Sequence, residues 1–176
     1  MTRDETPWRK RQQIPDAQIR DAADQYEAAR KLLAAQPPGA GVVLPLINTS
    51  AMAIELYLKR LSAELVYTSV DDFAGLSLVT AASTRTGHKL TLLFDELADG
   101  LKQDLEAAYK TDCFSPAGRT FREVIEGCQG AFVASRYPFE PGMNISNYPL
   151  RDLQVISEFL SDFISKLPPR EYIEWK

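Results

Sequence analysis

Three short segments of the chain carry side chains able to do chemistry. In the first, Glu55 and Lys59 stand four residues apart on a stretch that reads as helix, so they share one face. An exposed pair of this kind contributes a few tenths of a kcal/mol. A buried pair costs several kcal/mol in desolvation and requires a third polar group nearby. The second segment holds His88, directly after Gly87 and the only histidine of the chain. Histidine is the residue type best suited to proton transfer near neutral pH. The third is Ser135-Arg136-Tyr137-Pro138-Phe139-Glu140. An arginine there can satisfy the last carbonyls of its helix, or fork onto a carboxylate such as Glu55. The expected polar cluster is Glu55, Lys59, His88, Arg136 and Glu140, with His88, Arg136 and Lys59 as the groups available to any catalysis.

Several chemistries lack their residues. A lone histidine cannot build a histidine-rich metal centre, and Cys113 and Cys128 have no CxxC spacing, so they read as ordinary thiols and no metal is expected. No GxSxG turn offers a nucleophilic serine. Gly39-Ala40-Gly41 lacks the spacing of a phosphate-binding loop, and no cofactor is expected. The net charge of −4 makes the whole surface a poor electrostatic magnet for nucleic acid, although a local basic patch would escape that argument.

Helices must position these groups. Ile19, Ala22, Ala23, Tyr26, Ala29, Leu32 and Leu33 recur at helical spacing after Pro15-Asp16, and Pro37-Pro38-Gly39 ends that run. A second helix is predicted from Val42 or Pro45 to about Leu65. Its apolar residues lie nearly all round, which marks a central helix or one shared with a dimer interface. In residues 66–87 no single pattern dominates: Leu65-Val66-Tyr67-Thr68 could form a short strand, and Asp71-Asp72 and Ser83-Thr84-Arg85-Thr86-Gly87 suggest an exposed loop. Leu90, Leu93, Phe94 and Leu97 predict a third helix ending at Gly100, and Leu101–Lys110 a short fourth. Ser115-Pro116 suits a helix start, and that fifth helix should run to Tyr137-Pro138. A last helix is predicted from Pro149 to Lys166, ended by Pro168-Pro169. The expectation is an all-α bundle of five to six antiparallel helices over residues 15–167. Residues 1–14 form a flexible basic arm carrying Trp8, Arg9, Lys10 and Arg11, and residues 168–176 an aromatic tail. No apolar run reaches a membrane-spanning length and the N-terminus has no signal-peptide core, so a cytoplasmic location without membrane contact is expected.

Three segments in order resemble the HEPN-domain family of small prokaryotic helical bundles. They are Asn48 to Leu61 with its Glu55-Leu-Tyr-Leu-Lys59 core, Gly87-His-Lys-Leu-Thr-Leu-Leu-Phe-Asp-Glu-Leu97, and Phe132-Val-Ala-Ser-Arg-Tyr-Pro-Phe-Glu140. The resemblance spans about residues 15–167. It implies an antiparallel bundle that dimerises through its central helices. Many members are metal-independent endoribonucleases of defence or toxin–antitoxin systems, with an arginine followed after four to six residues by a histidine. Here Pro141, Gly142 and Met143 occupy those places after Arg136, and His88 follows Arg85 by only three positions. Other members act as binding or partner modules, sometimes beside a nucleotidyltransferase. The expected function is therefore a non-catalytic, homodimeric HEPN-like module that binds a nucleotide, RNA or a partner protein such as a nucleotidyltransferase or antitoxin. The alternatives are a metal-independent endoribonuclease with a variant site and a purely structural interaction bundle.

Overall fold

The computed structural model describes residues 9–13, 16–69, 77–83, 87–112, 118–139, 148–168 and 171–175. Among them the protein is mostly helical. The helices are α1 (Ala17–Ala34), α2 (Val43–Leu61), α3 (Leu90–Asp95), α4 (Asp99–Asp112), α5 (Phe121–Cys128), α6 (Ala131–Arg136) and α7 (Leu150–Lys166). Four strands form two separate antiparallel pairs. β1 (Arg9–Gln13) pairs with β4 (Glu171–Trp175), and β2 (Ala63–Ser69) with β3 (Ser77–Ser83). The basic arm and the aromatic tail thus meet each other.

The central helix of the fold is α2, and α1, α3, α6 and α7 all pack against it. Ile47, Ala51, Ala53, Ile54, Tyr57, Leu58 and Leu61 are buried along it. An apolar, nearly all-round surface needs cover on most sides, and the chain supplies that cover itself. The core continues through Leu105, Tyr109, Phe121, Ile125, Leu153, Ile156 and Leu160. Within it Phe121 contacts Phe94, Tyr109 and Phe159 with ring centroids 5.4–5.5 Å apart. Such tilted and edge-on pairs add to the burial of the rings themselves.

Three predicted boundaries need correction. The third helix, expected to end at Gly100, stops at Asp95, and Gly100 lies in α4. The second helix ends at Leu61, not near Leu65. Ala63-Glu-Leu-Val-Tyr-Thr-Ser69 is rich in strand-forming side chains and pairs instead with β3. The predicted fifth helix begins at Phe121 and is broken into α5 and α6 around Gln129-Gly130. Ser115-Pro116 lies outside the described residues. Thr120 supplies the cap: its hydroxyl accepts from the Glu123 N–H, and the Glu123 carboxylate accepts from the Thr120 N–H, a reciprocal box. Glu106 of α4 accepts from the N–H groups of Phe121 and Arg122 at 2.8 and 3.0 Å. These bonds satisfy the first orphan donors of α5. The break leaves α6 free to lie on α2, where it carries Phe132 and Arg136 to the site.

Candidate functional site around Glu55, His88 and Phe132

Glu55 is only 2% exposed. A carboxylate so far from water needs donors, and it has one for each oxygen. Lys59, one helical turn later, donates from Nζ to Oε1 at 2.6 Å. His88 reaches Oε2 through Nδ1 at 2.7 Å. Because Glu55 accepts from both, Nδ1 carries a proton and Nε2 is the ring nitrogen turned away from the carboxylate. The His88 side chain remains about half exposed. Nε2 has no partner among the described residues.

Local structure explains how His88 arrives there. Gly87 has φ of 112°, a backbone conformation that side-chain-bearing residues rarely adopt. No atom lies within 4 Å of where its Cβ would stand, so conformation and not space calls for glycine. The turn leads into His88 just before α3 begins at Leu90. The imidazole then stacks on Phe132 of α6, with centroids 4.6 Å apart and planes 28° from parallel.

Phe132 has a second neighbour. The guanidinium carbon of Arg136 lies 5.2 Å from its ring centroid and 6.0 Å from that of Tyr137. A cation over an aromatic face is attracted by the ring quadrupole, and the contact restrains a long side chain that is otherwise exposed. The imidazole and guanidinium therefore lie within about 10 Å of each other, joined through one ring. Among the described residues Arg136 has no carboxylate partner. The fork onto Glu55 considered from the sequence does not form, because Lys59 and His88 already occupy both Glu55 oxygens. Glu140, the fifth expected member, lies outside the described residues.

α6 is held at this distance by polar ties as well as packing. Ser135 donates to the Phe132 carbonyl at 3.0 Å, and Asn48 of α2 donates to the Ser135 hydroxyl at 3.4 Å. Tyr148 donates to the Ala134 carbonyl at 3.1 Å. Thr91 of α3 hydrogen-bonds to the side chain of Gln129 at the α5–α6 break. Phe132 and Asn48 were not legible as site residues. An apolar residue at a core-facing helical position gives no hint that its ring will separate two polar groups.

A second buried polar cluster was also missed. Glu27 accepts from Nε and Nη2 of Arg30, both at 2.7 Å, and from Ser157 of α7 at 2.5 Å. Arg30 continues to Glu158 at 2.8 Å. Burial pushes the Glu27 carboxyl up, but hydrogen bonds from Arg30 and Ser157, with the charges of Arg30 and Lys31, outweigh it and hold it below the usual value. The only sequence hint was the Glu27/Arg30 spacing of three, which is common on solvated helices. The cluster has its donors and acceptors matched between α1 and α7, and it fastens those helices together. Burial, reinforced by Asp152, pushes the Cys128 thiol up to about 12, so it stays un-ionised. Among the described residues no group of three or more His, Cys, Asp or Glu side chains is placed to hold a metal ion. No helix of the described residues is long and apolar enough to cross a membrane.

Comparison with known proteins adds no relative: no family model matches the chain, and neither do curated proteins or solved structures.

Proposed function

We propose that this chain is a HEPN-like antiparallel helical bundle acting as a homodimeric, non-catalytic binding module, and that its ligand is phosphate-bearing, a nucleotide or RNA. The observation that carries this reading is the pairing of His88 Nε2 with the Arg136 guanidinium on either contact of Phe132, both without a partner among the described residues. A guanidinium offers a fork that suits phosphate oxygens, and an imidazole held by a carboxylate offers a directed donor from Nε2 when it is protonated on both nitrogens. Lys59 neutralises Glu55, so the buried carboxylate supports the imidazole without presenting its charge to an incoming anion. Among the described residues of the site, Lys59 is committed to Glu55, which supports a binding reading over proton transfer by two groups. In a cell such a module would serve a prokaryotic defence, toxin–antitoxin or nucleotide-related system, beside a partner such as a nucleotidyltransferase or antitoxin.

Fluorescence anisotropy with labelled RNA oligonucleotides, and calorimetry with nucleotides, test the proposal. His88→Ala and Arg136→Ala are each expected to weaken binding about tenfold or more, the loss of one charge-assisted hydrogen bond. Binding that is unchanged in both variants contradicts the assignment.

A second reading is favoured by one specific feature. The Glu55–His88 hydrogen bond orients an imidazole in the way acid–base catalysts require. A variant metal-independent ribonuclease would use His88 for proton transfer and Arg136 for the phosphate. It predicts RNA cleavage by the purified protein that disappears in His88→Ala. Cleavage surviving His88→Ala and Arg136→Ala together, or no cleavage of any RNA tested, rules it out.

A further inference from the structure

The β2–β3 hairpin joins α2 to His88, and it is an unfinished sheet. It has two strands, so each strand keeps one open edge of backbone N–H and C=O groups among the described residues. Among the described residues no helix makes an extensive contact with either strand. A two-stranded hairpin standing alone is marginal in water and gains stability from a third strand or a packed face.

One of its faces already has company and the other does not. Ala63 is buried, and Leu65, Val79, Ala81 and Ser83, which share its face by alternation and register, are partly covered, while Tyr67 at the far end of that face is exposed. On the opposite face Glu64, Val66, Leu78, Thr80 and Ala82 are all exposed. Leu78 is 57% exposed, unusual for an apolar side chain on a strand.

The two edges differ in charge. β2 carries Glu64, whereas β3 reads Ser77-Leu-Val-Thr-Ala-Ala-Ser83, with neither charge nor proline. Natural edge strands are normally blunted by lysine, proline or a bulge, and β3 has none of the first two. β3 is also complementary to itself. An antiparallel two-fold pairing centred on Thr80 places Leu78 opposite Ala82 of the second strand, and Val79 opposite Ala81. Each large side chain meets a small one, and no like charges face each other.

We propose that two copies of this chain associate through their β3 edges, about a two-fold axis at Thr80, to form a four-stranded sheet in the order β2-β3-β3-β2. The inference rests on the dimeric reading above and names its surface. The order places the two sites on separate protomers, each reached from the β3 end through Gly87 and His88.

Analytical ultracentrifugation of the full chain over a range of concentrations tests it. Thr80→Lys and Thr80→Glu each set two like charges opposite each other at the axis, and each should raise the dimer dissociation constant by roughly fivefold or more. An equimolar mixture of the two variants should restore dimer, because lysine then faces glutamate. Far-UV circular dichroism of each variant should match the wild type, since Thr80 is exposed. Two well-folded variants that stay as dimeric as wild type overturn the β3 interface while leaving a dimer by another surface. A mixture that fails to recover overturns the two-fold register. A wild-type chain monomeric at every concentration overturns both the interface and the dimer.

Discussion

Glu55 shows what a single buried charge demands of its surroundings. Taken out of water, it has one donor on each oxygen, and the two donors come from different parts of the chain. Removing it strands Lys59, whose side chain is only 19% exposed, beside an apolar core. Glu55→Ala is therefore expected to lower stability by about 3 kcal/mol in urea titrations, the scale for breaking a buried pair from one side. A loss of under half that amount would show that water replaces the carboxylate. His88→Ala should be milder in the same titration, because the imidazole is half exposed. The pair and the histidine were legible because an i, i+4 spacing and a unique residue type are written directly in the sequence. The approach of His88 to Glu55 depends on the direction of the turn at Gly87, and its contact with Phe132 on the α5–α6 break, and helical periodicity encodes neither. The arginine was legible as a residue but not its contact: Arg136 rests on Phe132, and Glu55 is fully occupied elsewhere.

At the scale of elements, apolar periodicity was a good guide to where helices lie and a poor one to where they stop. α1, α4 and α7 fall close to where the repeats place them, whereas α3 stops at Asp95, short of its expected end at Gly100. The errors at α2 and α5 have local causes. Leu65 continues the helical repeat but belongs to a run of strand-forming residues that finds a partner in β3. Ser115-Pro116 resembles a helix start, but Thr120, Glu123 and Glu106 satisfy the actual one. The tie between α1 and α7 carries a pH prediction. Glu27 is held below its ordinary value of 4.5, so it adds stability above that pH, and the contribution is lost as pH falls through its depressed folded-state value. Melting temperatures of wild type and Glu27→Gln, followed from pH 7 towards pH 3, should start well apart and converge in acid. A gap that stays constant down to pH 3 would mean that the carboxylate charge is not what binds Arg30 and Ser157.

For the whole molecule, the acidic average and the local site point in different directions. The chain carries a net charge of −4, yet His88 and Arg136 gather at one ring with Glu55 already neutralised by Lys59. Attraction of a phosphate there is a local effect, and it should weaken as salt screens an exposed guanidinium. The composition could exclude broad electrostatic capture of nucleic acid; it could not exclude a site built from two groups and a ring. His88 is the only histidine, so its ring protons report on that site alone. The most direct measurement is the proton NMR spectrum of the histidine ring during titration with a mononucleotide and with a short RNA. Binding at His88 and Arg136 predicts a saturable shift of the His88 resonances with at least one of these ligands, weakened about tenfold or more in Arg136→Ala. Resonances that do not move with either ligand, or that move identically in Arg136→Ala, would contradict it.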